Sequence, residues 1–257
     1  MVPEIGLGTW KYRGGSEPLQ KGIELGAYLI DTAEMYKTED AVGLAIKDHR
    51  DRVFLATKVL GSNLRHDEVL RAAEKSLRLL EDDVIDLYQI HWSNRSVPIA
   101  ETMGAMEELV DRGMVRYIGV SNFSVPEMRE AQQAMTKNPL VSNQVLYNLK
   151  RRDIERDLIP YCVDNDVTVI AYTPLADGSL SSKSRYRPDK GGSVLERGAQ
   201  EVGKTSAQVA LNWCLSRPNV IAIPKTNSVA RTVENCEASG WSLTTDQLAA
   251  LDKAFPL

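Results

Sequence analysis

The chain has 257 residues, of which 43% are hydrophobic and 26% are charged, and its formal net charge is −4. This length and composition predict a globular protein with a substantial core, and the acidic balance excludes a general binder of nucleic acid or other polyanions. An anionic ligand would therefore need locally concentrated lysine and arginine side chains.

The cysteines and the N-terminal residues indicate the compartment. Cys162, Cys214 and Cys236 are too few and too scattered for a disulfide framework or a metal cluster, which is typical of a reducing compartment. No apolar run reaches the length of a membrane span, and the first residues have no signal-peptide pattern. We therefore expect a cytoplasmic protein with no membrane partner.

Apolar runs typical of β-strands alternate along the chain with amphipathic segments typical of helices. The predicted strands are residues 5–10, 29–33, 53–59, 85–91, 115–121, 140–146, 167–172 and 220–224. Helices are predicted over 18–25, 67–80, 98–113 and 153–164, with others beginning near 39, 124, 194 and 205 and two short ones at the end. Thr38, Ser124 with Glu127, and Thr244 with Gln247 are the predicted helix caps.

Eight strands alternating with helices in this length predict an α/β fold of the (β/α)8 TIM-barrel type, as a single domain over residues 1–257. A doubly wound sheet is the main alternative. Its nucleotide-binding members have Gly-x-Gly-x-x-Gly after the first strand, whereas Gly6-Leu7-Gly8 continues here as Thr9-Trp10-Lys11. The long polar segment 176–192 lacks periodicity, which is typical of a functional lid or of a disordered segment.

A TIM barrel places its chemistry at the carboxyl ends of its strands. A polar or ring-bearing residue stands at that end of every predicted strand: Thr9 and Trp10, Asp31, Lys58, His91, Ser121 and Asn122, Asn143 and Gln144, Tyr172 and Thr173, and Lys225. One such residue alone is more often structural, and Asp31 alone could simply cap a turn. Asp31, Lys58 and His91 on three successive strands, with Tyr36 one loop away, indicate a catalytic group.

These residue types suit proton transfer to a carbonyl oxygen. A nearby ammonium would lower the pKa of the tyrosine, an Asp31–Lys58 ion pair would orient that ammonium, and His91 could orient the carbonyl or relay the proton. No side chain supplies a hydride, so a reduction would need a cofactor. Alternatively, Lys58 could be the Schiff-base nucleophile of an aldolase.

Over nearly its whole length the sequence resembles the aldo-keto reductase family. The motifs that resemble the family are Gly6-Leu7-Gly8-Thr9-Trp10, Asp31-Thr32-Ala33-Glu34-Met35-Tyr36, Thr57-Lys58, Ile90-His91-Trp92, Ile118-Gly119-Val120-Ser121-Asn122-Phe123, Asn143-Gln144, Ala171-Tyr172-Thr173-Pro174-Leu175 and Ile223-Pro224-Lys225-Thr226. The resemblance implies NADPH-dependent reduction of aldehydes or ketones by a catalytic tetrad of Asp31, Tyr36, Lys58 and His91, with Tyr36 as the general acid. It also implies a monomer.

The resemblance further implies where the cofactor and the substrate bind. Ser121, Asn122 and Gln144 would bind the nicotinamide amide, and Tyr172 would stack on its ring. Lys225, Thr226 and Arg231 would bind the 2′-phosphate. Two cations close together in an acidic protein suit a phosphate. Glu234 and Asn235 would bind the adenine. The further residues implied at the cofactor are Gly8, Thr9, Trp10, Asp31, Thr173, Pro174, Leu175, Ala176 and Asn227, and those implied at the substrate are Trp10, Tyr36, His91 and Trp92. Segment 176–192 would fold over the pyrophosphate.

The sequence departs from the family pattern at Lys37, where glycine is common, and at Ser93, where proline is common. Both ends are short compared with the family, and the brief C-terminal tail predicts an open, permissive pocket. A non-catalytic NADPH-binding regulatory subunit remains an alternative function. A metal site is not expected, because the three histidines, His49, His66 and His91, do not cluster.

Overall fold

The computed structural model describes residues 3–181 and 190–257, and within them eight parallel strands pair in chain order. The strands are β1 (Leu7–Gly8), β2 (Leu29–Asp31), β3 (Phe54–Val59), β4 (Ile85–Ile90), β5 (Val115–Ser121), β6 (Leu140–Leu146), β7 (Thr168–Tyr172) and β8 (Val220–Ala222). The helices are α1 (Glu17–Glu24), α2 (Glu39–Ile46), α3 (His66–Leu80), α4 (Ile99–Asp111), α5 (Val125–Ala134), α6 (Leu158–Asp164), α7 (Lys190–Val202), α8 (Ser206–Leu215), α9 (Val229–Cys236) and α10 (Thr245–Ala254).

The sheet closes on itself through hydrogen bonds between its first and last strands. The amide of Gly6 donates to the carbonyl oxygen of Ala222 at 2.9 Å, and the amide of Ala222 donates to Glu4 at 2.9 Å. The amide of Gly8 donates to Pro224 at 3.2 Å. An added Cβ at Gly8 would lie 2.8 Å from the carbonyl oxygen of Ile223, so this close approach requires glycine. The predicted TIM barrel is confirmed, and the doubly wound sheet was the wrong alternative.

A small apolar cluster, separate from the main core, fills the barrel interior; its buried members are Leu29, Ala56, Leu87, Ile170 and Ile223. Successive side chains of a strand point to opposite faces, so the residues two positions further on also point inward. Those residues are Asp31, Lys58, Gln89, Tyr172 and Lys225. The main core lies between the sheet and the helices, and it includes Leu55 and Tyr88. The strand register therefore brings polar side chains to one end of the interior.

Several predicted element boundaries change in the structure. The first strand is only two residues long, because the chain turns away after Thr9 and Lys11 has a left-handed φ of 56°. The predicted helix 153–164 begins with a separate 3₁₀ turn, Asp153–Glu155, before α6. Helix α7 begins at Lys190, within the predicted loop 176–192, of which residues 182–189 lie outside the described part.

The predicted helix caps are confirmed at α5 and α10, where Ser124 with Glu127 and Thr244 with Gln247 form capping boxes. Thr38 precedes α2 as predicted, but its side chain makes no capping hydrogen bond. Its hydroxyl instead lies 3.1 Å from the Thr9 hydroxyl and 3.0 Å from the Thr32 hydroxyl. Thr38 therefore ties the ends of β1 and β2 together below the Tyr36 loop.

Within residues 3–181 and 190–257, no helix combines the length and the apolarity needed to cross a membrane. That residues 1–257 form a single domain, and that segment 176–192 acts as a lid, stay predictions.

Candidate active site

Asp31 and Lys58 form a buried ion pair at the carboxyl ends of β2 and β3. The Lys58 Nζ donates to Asp31 Oδ1 at 2.8 Å, to Asp31 Oδ2 at 2.9 Å and to the Thr32 carbonyl oxygen at 2.8 Å. The Gln144 amide also donates to Asp31 Oδ2, at 2.7 Å. Burial lowers the pKa of Lys58, and the Asp31 carboxylate opposes that shift. The three protons of an ammonium match the three acceptors around Nζ.

Tyr36 lies directly above this ion pair, at the end of a 3₁₀ turn (Glu34–Tyr36) that follows β2. Its ring centroid is 4.9 Å from the Lys58 Nζ and 5.4 Å from the centroid of the His91 ring, which meets it edge-on at 78°. The Trp10 ring lies 5.0 Å away on another side. The structure therefore brings the four predicted catalytic residues together.

The predicted lowering of the Tyr36 pKa is wrong. The pKa of Tyr36 is raised, first by burial and then by the charges of Asp31 and Tyr172. The sequence correctly predicts an ammonium beside the tyrosine, but that ammonium is already paired with Asp31. Burial would also remove water from the phenolate, which raises the pKa. Tyr36 is therefore protonated at neutral pH, which is the form that a proton donor needs.

His91 is electrically neutral at physiological pH. Burial, and then the positive charge of Lys58, lower its pKa from 6.5 to about 4. Its Nδ1 atom is buried and has no hydrogen-bond partner in the described structure. A neutral imidazole carries one N–H donor and one acceptor, so His91 can donate to a carbonyl oxygen without carrying charge into the cavity.

The low pKa of His91 predicts a pH-dependent loss of stability. The folded-state pKa lies below the unfolded value, so the unfolded chain binds a proton first as the pH falls from 6.5 towards 4. Stability that is fully present above pH 6.5 is lost over this range, and the difference amounts to about 3 kcal/mol near pH 4. The free energies of unfolding of the wild type and of His91→Gln, measured with urea, should therefore converge or cross as the pH falls. Parallel pH profiles for the two proteins would contradict the assigned shift.

Side chains after β5, β6 and β7 form a hydrogen-bonded platform beside the tetrad. The Asn122 amide donates to the Ser121 hydroxyl at 3.0 Å and to the His91 carbonyl oxygen at 3.2 Å, and the Tyr172 hydroxyl donates to Asn122 Oδ1 at 2.9 Å. The Ser121 hydroxyl donates to the Gln144 carbonyl oxygen at 2.8 Å. Oxygen acceptors on Asn122 and Gln144 still have lone pairs for a ligand amide.

An elongated cavity of about 570 Å³ runs from the tetrad to the end of β8. The predicted residues that line it are Gly8, Thr9, Trp10, Asp31, Tyr36, His91, Trp92, Ser121, Asn122, Gln144, Tyr172, Thr173, Pro174, Leu175, Lys225, Thr226, Arg231, Glu234 and Asn235. Lys58, Ala176 and Asn227 do not line it. Lys58 is fully buried behind Tyr36 and Asp31, which disfavours the aldolase alternative, because a Schiff-base lysine must reach its substrate.

Sequence reasoning missed several residues of the cavity wall: Lys11, Met35, Ala207, Ile223 and Pro224. Asp177, Gly178 and Ser181 also line the cavity and belong to the predicted covering segment 176–192. Lys11 directly follows Trp10 at a strand end, and its charge was a signal that could have been used. Ala207 lies in the first turn of α8, and its side chain carries no signal. Only the packing of α8 against the barrel brings it to the cavity.

The mouth of the cavity is open and aromatic. Trp10 is 47% exposed and Trp92 is 50% exposed. Ser93, one of the two departures from the family pattern, donates from its hydroxyl to Glu127 Oε1 at 2.7 Å and so joins the Trp92 loop to α5. Lys37, the other departure, is exposed with a left-handed φ of 55°. It does not line the cavity.

The far end of the cavity is cationic. Lys225 and Arg231 line it together, as predicted. Burial lowers the pKa of Lys225, and the charges of Arg13, Arg231 and Lys11 lower it further. In the part of the chain that the structure describes, no group of three or more histidine, cysteine or acidic side chains could hold a metal ion.

Comparisons with known proteins agree with this geometry. The family model described as the Aldo/keto reductase family matches residues 4–255. A methylglyoxal reductase of Escherichia coli is 39% identical over 266 residues, covering 99% of this chain and 92% of the relative. A glyoxal reductase of Bacillus subtilis is 33% identical over 257 residues, covering 98% of this chain and 88% of the relative.

Among solved structures, an aldo-keto reductase from Klebsiella pneumoniae in complex with NADPH superposes with a TM-score of 0.91 at 39% identity. The match covers 99% of this chain and 92% of that one. The family match confirms the predicted enzyme class, an oxidoreductase that acts on carbonyl groups. The chain therefore belongs to the aldo/keto reductase family.

Proposed function

We propose that the protein reduces small aldehydes and ketones to alcohols with NADPH, and that Tyr36 is its proton donor. The observation that carries this proposal is the position of a protonated Tyr36 between the buried Asp31–Lys58 pair and a neutral His91. This group stands at one end of a cavity whose other end is cationic. A dinucleotide phosphate suits this arrangement, because it carries a redox-active ring at one end and anionic groups towards the other.

Each member of the tetrad has a distinct part in the proposal. The Tyr36 hydroxyl donates its proton to the carbonyl oxygen of the substrate, where negative charge develops. The Lys58 ammonium, oriented by Asp31, stabilises the phenolate that remains. His91 donates a hydrogen bond that holds the same oxygen, and the Trp10 and Trp92 rings form the apolar walls. A bound nicotinamide supplies the hydride.

The lining residues fit NADPH in a definite direction. The remaining lone pairs on the side-chain oxygens of Asn122 and Gln144 suit the carboxamide group, and the half-buried Tyr172 offers a ring face beside them. Thr173, Pro174 and Leu175 continue along the wall where the pyrophosphate would lie. Lys225, Thr226 and Arg231 suit the 2′-phosphate, and Glu234 and Asn235 suit the adenine. The NADPH complex of the Klebsiella relative supports this choice of cofactor.

The substrate that we propose is a small aldehyde, with 2-oxoaldehydes such as methylglyoxal foremost. The names of the E. coli and B. subtilis relatives support this class, and so does the exposed Trp10–Trp92 mouth. The experiment is a comparison of kcat/KM for methylglyoxal, glyoxal, an aromatic aldehyde and a sugar aldehyde, with NADPH and then NADH. Turnover of the small aldehydes with NADPH supports the proposal. A protein that binds NADPH without reducing any of them is instead a regulatory subunit.

We also propose that residues 1–257 form one barrel domain that acts as a monomer in the cytoplasm. The described first part of the predicted covering segment 176–192, residues 176–181, would lie over the pyrophosphate. The family match over residues 4–255 supports the single domain. Asp177, Gly178 and Ser181 line the cavity, as the first part of a covering loop would. Cys162, Cys214 and Cys236 are free thiols, which suits a reducing compartment. Light scattering of the purified chain measures the oligomeric state.

A further inference from the structure

Barrel closure brings together two loops that are far apart in the sequence. The loop after β1 carries Lys11 and Arg13, and the loop after β8 leads through Lys225 to Arg231 on α9. The Arg13 amide donates to the Asn227 side-chain oxygen at 3.0 Å, across a sequence separation of 214 residues. The two loops therefore meet beside the cationic end of the cavity, to which they contribute Lys11 and Lys225.

The four cations in these loops have no carboxylate partners. Among the described residues, Lys11, Arg13, Lys225 and Arg231 form no ion pair, although the protein has a net charge of −4 and many of its other lysines and arginines are paired. The charges of Arg13, Arg231 and Lys11 act on Lys225 strongly enough to lower its pKa in addition to burial. Such crowding of like charges destabilises the free protein, and binding of an anion relieves it.

The four cations differ in how they relate to the cavity. Lys11, Lys225 and Arg231 line it, and Lys225 and Arg231 are the two cations that the proposed 2′-phosphate site already contains. Arg13 is exposed in the loop after β1 and does not line the cavity. Among the described residues its side chain makes no hydrogen bond or ion pair, since the bond to Asn227 comes from its backbone amide. A phosphomonoester has three acceptor oxygens and a charge of about −1.5 to −2 at neutral pH, so two cations do not exhaust its capacity for hydrogen bonds.

We propose that Arg13 is a cofactor-selectivity residue, which binds the 2′-phosphate of NADPH from the β1 side while Lys225 and Arg231 bind it from the β8 side. This inference rests on the proposed function. Arginine suits the position because its guanidinium can engage two phosphate oxygens at once. The phosphate would thus be held by both loops that barrel closure brings together.

The test is calorimetric titration of the full-length protein with NADP⁺ and with NAD⁺, which differ only in the 2′-phosphate. For Arg13→Ala we expect NADP⁺ binding to weaken about five- to tenfold, with NAD⁺ binding changed by less than about twofold. The NADP⁺ affinity of Arg13→Lys should lie between those of the wild type and Arg13→Ala, because lysine keeps the charge but lacks the planar guanidinium. Arg78→Ala, at an exposed position on α3, is the matched control for net charge and should change neither affinity.

A second measurement separates ligand binding from a structural role. Cofactor-free Arg13→Ala should unfold at the same temperature as the cofactor-free wild type or at a higher one. The substitution removes one of four crowded positive charges and keeps the backbone hydrogen bond to Asn227. Equal effects on NADP⁺ and NAD⁺, no effect on either, or a lower unfolding temperature would overturn the inference while leaving the proposed function intact. A wild type that does not prefer NADP⁺ to NAD⁺ would overturn both.

Discussion

Replacing Tyr36 with phenylalanine is expected to lower kcat for carbonyl reduction by about 10²–10⁴-fold, the range typical of a lost general acid. The variant keeps the ring that packs against Trp10 and His91 and removes only the hydroxyl. Steady-state NADPH oxidation with methylglyoxal measures the effect. Lys58 is fully buried behind the ring, so its ammonium does not replace the lost proton donor.

Two controls make the Tyr36 result specific. NADPH affinity, followed by fluorescence titration, should remain within about threefold of the wild type, since the hydroxyl is not among the proposed cofactor contacts. Tyr117→Phe removes the hydroxyl of an exposed tyrosine that stacks on Phe54 outside the proposed site, and it should keep full activity. A Tyr36→Phe protein with kcat near the wild-type value would remove Tyr36 from the role of proton donor.

Replacing Lys58 with methionine is expected to abolish activity and to lower the free energy of unfolding by about 3–5 kcal/mol, the usual cost of breaking a buried ion pair. The Asp31 carboxylate, only 2% exposed, would keep the Gln144 amide as a donor but lose its counter-ion. Urea unfolding at neutral pH measures the loss of stability. Acid relieves the uncompensated negative charge in the variant, so the stability difference between the variant and the wild type should narrow as the pH falls.

The double variant Lys58→Met with Asp31→Asn separates stability from catalysis. Asparagine has nearly the same shape as aspartate and still accepts from Gln144, so no uncompensated charge remains. We expect most of the lost stability to return while activity stays absent, because the cation beneath Tyr36 is still missing. Recovery of activity in the double variant would show that the ion pair serves folding alone.

The strand ends explain why so much of the site could be predicted from the sequence. Each inward-facing apolar residue, such as Leu29 or Ala56, is followed two positions later by a polar one, Asp31 or Lys58. Period-two alternation in strands and the common polarity of a parallel barrel then place those polar groups together. The fold class and the group of four catalytic residues follow from this pattern.

What the sequence could not predict depends on closure and burial. The approach of Arg13 to Asn227 exists only because β1 pairs with β8, and nothing near either residue in the sequence signals it. The direction of the Tyr36 pKa depends on how much solvent reaches the ring and on whether Lys58 is already paired. Thr38 looked like a helix cap, but neighbouring threonine hydroxyls compete for its side chain. Each of these is a contact between distant segments.

The central claim is that this chain couples consumption of NADPH to protonation of a carbonyl oxygen by Tyr36. The most direct test is a single turnover of the purified protein with pre-bound NADPH and methylglyoxal, following NADPH absorbance and alcohol formation together. We predict one alcohol formed for each NADPH oxidised in the wild type, and a much slower reaction in Tyr36→Phe with NADPH still bound. Bound NADPH that stays reduced in the wild type in the presence of the aldehyde would contradict the account.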